Sequence, residues 1–150
     1  IAGLRAQGRS INRDYRKAEG KKPEGFFKLE KDFYDKKRSN FLYITPDEKS
    51  GIRIGVVKNK PKADLKFWNE AFTIEMKNRK YSQLHKESIK SKSVAFAVYY
   101  LKYFSERIYI VAFGVKDDSI IIIEALFKTK SITAHMKNTM KKYIQSVEFD

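Results

Sequence analysis

The chain of 150 residues contains no cysteine, which excludes disulfide bonds, zinc–thiolate sites and catalysis by a thiol. Its seven glycines are scattered, so the sequence has no glycine-rich phosphate-binding loop. No apolar run approaches the roughly 18 to 20 residues that a membrane-spanning helix requires. Length and composition therefore predict one globular domain with a substantial core.

Acidic residues are also scarce: 18 Asp and Glu face 32 Lys and Arg, which gives a formal net charge of +14. This balance predicts attraction to an acidic protein partner, to nucleic acid or to anionic lipid head groups. The alternative is a lysine-rich background that serves only solubility. Because the chain starts at Ile1 rather than at Met, we expect a processed or trimmed product, and a secretion signal or lipid-attachment cysteine would belong to a preceding segment.

Three apolar runs dominate the second half of the chain, at residues 94–104, 108–115 and 120–127. They are rich in β-branched and aromatic side chains, which favour strands. The short polar breaks between them leave no room for the crossover that parallel strands need, so the runs predict an antiparallel meander. Ile120 to Ile123 are apolar on both sides of the predicted strand, which indicates a sheet covered on both faces.

Further strands are predicted before the meander. Residues 41–45 and 52–57 form a hairpin around a turn at residues 46–51, and residues 81–93 contain one more strand.

Two segments have helical periodicity. Residues 62–78 predict a helix capped by Asp64 or Asn59, with an apolar stripe wide enough that it must pack broadly on the sheet. Residues 129–147 predict a second helix capped by Ser131 or Thr129, and its exposed side carries lysines at positions 137, 141 and 142. The expected fold class is α+β: an antiparallel sheet packed by two amphipathic helices in an α/β/α sandwich, with a two-layer arrangement as the alternative.

The first 25 residues differ from the rest, and we expect a basic N-terminal extension (1–25) followed by a single domain (26–150). The extension is predicted to be an amphipathic helix that docks on its own domain or on a partner, or a disordered tail. One flank of that helix forms a basic stripe that is the candidate partner-binding site, composed of Arg5, Arg9, Arg13 and Arg16.

The order hairpin, helix, meander, helix resembles the superfamily of the PsbP extrinsic subunit of photosystem II and the bacterial DcrB-like lipoproteins. The closing segment from Tyr143 to Phe149, a helix end followed by a Ser–Phe type ending, is also similar. The resemblance covers residues 26–150 and implies a non-enzymatic accessory or chaperone-like module, often extracytoplasmic, that docks on a larger and often membrane-bound assembly. It carries over no binding residues and implies no cofactor.

Asp64, Glu75 and Lys77 have the spacing of the PD-(D/E)xK nuclease signature, in which carboxylates hold a divalent metal and the lysine helps activate water. That signature requires Glu75 and Lys77 on a strand, whereas the surrounding residues predict a helix. The sequence also contains two histidines, His85 and His135, in no catalytic or metal-binding frame, and both are expected at the surface.

Nucleic-acid binding is a further alternative, because tyrosines on a sheet can stack against bases beside lysines. The tyrosines in question are Tyr99, Tyr100, Tyr103 and Tyr109. Asp117 and Asp118 are expected in a hairpin turn rather than at a metal.

The leading hypothesis is a non-catalytic scaffold or accessory protein that docks on an acidic partner in a larger complex. Peripheral membrane contact is a further expected interaction, and no small-molecule substrate is expected.

Overall fold

The computed structural model describes residues 18–28, 43–47, 49–92, 94–102 and 106–149. The predicted N-terminal helix with its arginine stripe lies outside these residues. Within them the chain forms nine strands and two helices. The strands are β1 (Ala18–Glu19), β2 (Phe27–Lys28), β3 (Tyr43–Ile44), β4 (Ser50–Lys58), β5 (Ser82–Ser91), β6 (Val94–Lys102), β7 (Ile108–Lys116), β8 (Ser119–Phe127) and β9 (Glu148–Phe149), and the helices are α1 (Leu65–Asn78) and α2 (Ala134–Gln145).

Seven of the strands form one antiparallel sheet in the order β2-β3-β4-β8-β7-β6-β5. The predicted meander is confirmed as β6, β7 and β8, and the additional strand predicted before it is β5. The predicted hairpin is β3 and β4, and β4 joins the meander by pairing with β8 along its whole length, from Ser50 opposite Phe127 to Lys58 opposite Ser119. A separate ribbon pairs β1 with β9.

The two faces of the large sheet carry separate apolar cores. Trp68, Phe72 and Met76 of α1 pack on one face, and residues of α2 such as Met140 and Ile144 pack on the other. The predicted α+β class and the α/β/α sandwich, with one helix on each face of the sheet, are confirmed. Ile120 to Ile123 are buried on both faces, as their pattern predicted.

Helix α1 begins at Leu65, after Asp64, whose carboxylate accepts a hydrogen bond of 2.9 Å from the backbone N–H of Phe67. Asp64 is therefore the cap, and Asn59 has another role: it is buried and its Oδ1 accepts the indole N–H of Trp68 at 2.8 Å. The prediction that α1 packs broadly on the sheet is wrong. One side of the helix is buried, whereas Phe67 and Ile74 on the other side are exposed.

Helix α2 begins at Ala134, and its cap is Thr133 rather than either of the two predicted residues. The Thr133 hydroxyl accepts the N–H of Met136 at 3.0 Å. Of the helices in the described part of the chain, none is long and apolar enough to cross a membrane.

Candidate docking surface

The outward side of α2 is basic. Between Glu124 and Glu148 the sequence contains lysines but no aspartate or glutamate. Three exposed residues, Lys137, Lys141 and Lys142, lie on the solvent side of α2, and we call them the α2 lysine face. Their side chains form no ion pair among the described residues, so their charge is directed into solvent.

The inward side of the same helix fixes this face in place. Met136, Met140, Tyr143 and Ile144 are buried in the core beneath α2. At its C-terminal end Ser146 completes the helix, and Lys142 in the last turn interacts favourably with the helix dipole. Because one side is packed and both ends are capped, the lysines project from a rigid platform.

The segment before β2 crosses the C-terminal end of α2. β1 pairs with β9, and the backbone N–H of Lys21 donates a hydrogen bond of 2.7 Å to the Ser146 hydroxyl. Gly20 lies against the ring of Tyr143. Lys21 and Lys22 are both exposed, so this segment adds positive charge near the same end of the helix.

Of the carboxylates close to this region in the chain, Glu19 and Glu148 are engaged by other lysines, whereas Glu24 is exposed. Glu19 forms an ion pair with Lys28 at 3.1 Å. Glu148 accepts a hydrogen bond of 2.9 Å from Lys92, which lowers the pKa of the Glu148 carboxyl below its usual value. The α2 lysine face is thus left as uncompensated positive charge, which suits an acidic surface.

The arginine stripe predicted as the binding site, Arg5, Arg9, Arg13 and Arg16, lies outside the described residues. It stays a prediction. The predicted boundary at residue 25 likewise stays a prediction, but residues 18–25 contain β1 and the contacts to α2 described above.

The nuclease arrangement is not formed. Glu75 and Lys77 lie on α1 rather than on a strand, and Asp64 caps the start of the same helix. Eleven residues of helix place Asp64 and Glu75 about 16 Å apart along the axis, too far to share a metal ion. Glu75 instead pairs with Arg79 at 2.7 Å, and this hydrogen bond lowers the pKa of the Glu75 carboxyl.

The three sheet tyrosines that the structure describes offer no platform for bases, which corrects that part of the nucleic-acid hypothesis. Tyr99, Tyr100 and Tyr109 are buried. The hydroxyl of Tyr99 donates to Asn69 of α1 at 2.8 Å, so its ring lies under the helix. Tyr103 lies outside the described residues.

The remaining candidates occupy ordinary positions. His135 is exposed on α2, and His85 is half-buried with its Nε2 3.6 Å from Glu87. Asp117 and Asp118 form the tight turn between β7 and β8, as predicted. No cluster of three metal-ligating side chains occurs among the described residues.

One buried charged group escaped the sequence reasoning. Glu124, within the apolar run of β8, accepts hydrogen bonds from Arg53 of β4 and from the hydroxyl of Tyr109 of β7. Arg53 lies directly opposite Glu124 in the β4–β8 register, and both side chains are mostly buried. The cluster lies within the sheet and is a structural ion pair. Its only sequence signal was a single charged residue in an otherwise apolar strand.

No protein-family model and no curated protein matches the chain. Among solved structures, the chain is similar to the solution structure of cyanobacterial PsbP (CyanoP) from Synechocystis sp. PCC 6803, with a TM-score of 0.52 and 5% sequence identity. The similarity covers 92% of this chain and 94% of that chain. The protein therefore has a PsbP-like fold.

Proposed function

We propose that this protein is a non-catalytic accessory protein that docks on an acidic protein partner through the α2 lysine face. The partner belongs to a larger assembly, and the arginine stripe of the N-terminal segment adds a second basic contact. The module acts outside the cytoplasm, at a periplasmic or lumenal membrane surface. It requires no cofactor.

The observation that carries this proposal is the complete absence of carboxylates from residues 125–147, which include α2. A surface helix that serves only solubility usually mixes both signs of charge, since neighbouring Glu and Lys stabilise it. Here the exposed ionisable residues of α2 are His135 and the lysines. The PsbP-like fold supports an accessory role, because the resemblance noted above implies modules that dock on larger complexes.

Co-purification of the full chain from its native host tests the proposal. The triple variant Lys137→Glu, Lys141→Glu and Lys142→Glu is expected to lose its co-purifying partner, and the wild-type complex is expected to dissociate as salt is raised. The matched control reverses three other exposed lysines and thus makes the same change in net charge, at positions Lys49, Lys58 and Lys60.

Equal loss of the partner in both triple variants would show a general charge effect and refute a defined docking face.

A filter-binding titration at two ionic strengths tests the alternative function, nucleic-acid binding. Tight binding to many nucleic-acid sequences, with affinity that falls steeply as salt rises, would replace the protein-docking proposal by nucleic-acid binding.

A further inference from the structure

The outward crest of α1 exposes two large apolar side chains. Phe67 is 44% and Ile74 is 61% exposed, in contrast to Trp68, Phe72 and Met76 on the buried side. Seven residues correspond to about two helical turns, so Phe67 and Ile74 project from the same side, about 10 Å apart along the axis. We call this pair the α1 crest.

The crest is held rigidly. The Phe67 ring packs edge-on against Trp68 with 5.0 Å between ring centroids, and Trp68 is itself fixed by the hydrogen bond from its indole N–H to the buried Asn59. The other side of the helix supplies the side chains that pack in the core, Trp68, Phe72 and Met76. Phe67 and Ile74 are therefore available for a contact outside the domain.

Lysines border the crest. Lys66 and Lys77 are exposed on an adjoining strip of α1, since eleven residues span about three turns. On the neighbouring β5, Lys86 lies 5.1 Å from the ring of Tyr99, which belongs to the core on the α1 side of the sheet. Side chains alternate along a strand, so exposed Lys90 projects to the same side as Lys86.

Negative charge on α1 is limited. Asp64 caps the helix start and Glu75 pairs with Arg79, which leaves Glu70 as the carboxylate nearest to the crest. An apolar crest bordered by lysines matches the surface of an anionic bilayer, where rings and aliphatic chains enter the interface and lysines contact the head groups.

We propose that the α1 crest binds anionic lipid surfaces. A bilayer suits this site better than a protein groove does, because two side chains on a convex helix offer little area for a specific protein interface. Helix α1 lies on the opposite side of the sheet from α2. The protein can therefore contact lipid through α1 while the α2 lysine face binds a partner, and the lipid proposal does not depend on that partner.

Vesicle co-sedimentation of the full chain tests this inference. The protein is expected to bind vesicles of mixed phosphatidylglycerol and phosphatidylcholine and to remain unbound with phosphatidylcholine alone. The double variant Phe67→Ser and Ile74→Ser is expected to bind about tenfold more weakly or worse. Glu70→Gln is expected to bind more tightly, because it removes the carboxylate beside the crest.

The matched control is Phe27→Ser, compared with the single variant Phe67→Ser, because Phe27 lies outside α1 and has a similar exposure, 43% against 44%. It is expected to bind as the wild type does. The inference is overturned by wild-type protein that does not bind anionic vesicles, by equal losses of binding for Phe67→Ser and Phe27→Ser, or by sedimentation equilibrium that shows a dimer dispersed by Ile74→Ser. Lys66→Glu with Lys77→Glu, which leaves the apolar side chains in place, must also weaken binding.

Discussion

Gly20 lies so close to Tyr143 that a Cβ atom at this position would be 2.8 Å from the Tyr143 ring carbon Cε1. The Tyr143 ring is buried and also meets Tyr43, with 5.9 Å between ring centroids, so it has little room to retreat. We expect Gly20→Ala to lower the free energy of unfolding by about 1–3 kcal/mol through overpacking. Urea denaturation followed by circular dichroism measures the effect.

Gly55 provides the control for that substitution. A Cβ atom at Gly55 of β4 would meet no atom within 4 Å. Gly55→Ala is therefore expected to leave stability unchanged or slightly raised, since it reduces the entropy of the unfolded chain. If both alanine variants unfolded at the same urea concentration, the close approach of Gly20 to Tyr143 would not matter for stability.

The ion pair between Arg53 and Glu124 makes a second prediction. The Arg53 Nε lies 2.6 Å from a Glu124 carboxylate oxygen, and both side chains are mostly buried. Arg53→Met removes the positive partner and leaves the carboxylate in a poorly solvated place. We expect the free energy of unfolding to fall by about 3–5 kcal/mol, again measured by urea denaturation.

Lys28 forms the matched exposed pair with Glu19, at 3.1 Å and with more than half of each side chain accessible to solvent. Lys28→Met is expected to change stability by less than about 1 kcal/mol. The double variant Arg53→Met with Glu124→Gln is expected to be more stable than Arg53→Met alone, because no buried charge is left. A double variant as unstable as the single variant would contradict this account.

Most of the fold was predictable because its signals are local. The three apolar runs of the meander, the helix capped by Asp64 and the lysines of α2 are each read from residues that are neighbours in sequence. Periodicity alone could not decide how much of the α1 stripe is buried. Phe67 and Ile74 follow the same pattern as Trp68, and only the position of the sheet shows that they face away from it.

The pairing of Arg53 with Glu124 was beyond sequence reasoning for a different reason. The two residues are 71 positions apart, and only the β4–β8 register places them opposite each other. The cap of α2 was also undetermined, because Thr129, Ser131 and Thr133 all have suitable hydroxyls. Packing of Met136 and Met140 against the sheet selects the turn at which the helix begins.

The N-terminal segment gives a third prediction, which concerns two nested deletions. Removal of residues 1–17 leaves β1 and the contact between Lys21 and Ser146 in place. Removal of residues 1–22 eliminates both, together with the hydrogen bond from the Tyr43 hydroxyl to the Gly20 carbonyl. The longer deletion is expected to lower the melting temperature by several degrees more than the shorter one, at about 2–4 °C per kcal/mol for a domain of this size.

Measurements of partner binding separate the role of residues 1–17 from that of residues 18–22. If the arginine stripe contributes to docking, the 1–17 deletion weakens co-purification while the domain remains folded by circular dichroism. Full co-purification of that deletion variant would limit docking to the α2 lysine face. Equal melting temperatures for the two deletion variants would show that β1 adds nothing to the stability of the domain.

Tyr100 and Tyr143 predict loss of stability at alkaline pH. Burial raises the pKa of both phenols, and the charge of Glu87 adds to this at Tyr100. Their contribution is complete below pH about 10, where tyrosine in the unfolded chain begins to ionise. Above that pH the unfolded state loses protons that the native state keeps, so stability falls by about 1.4 kcal/mol per pH unit for each residue. Urea denaturation between pH 9 and 11.5 should give a shallower decline for the double variant Tyr100→Phe and Tyr143→Phe than for the wild type, and an unchanged slope would refute the assignment.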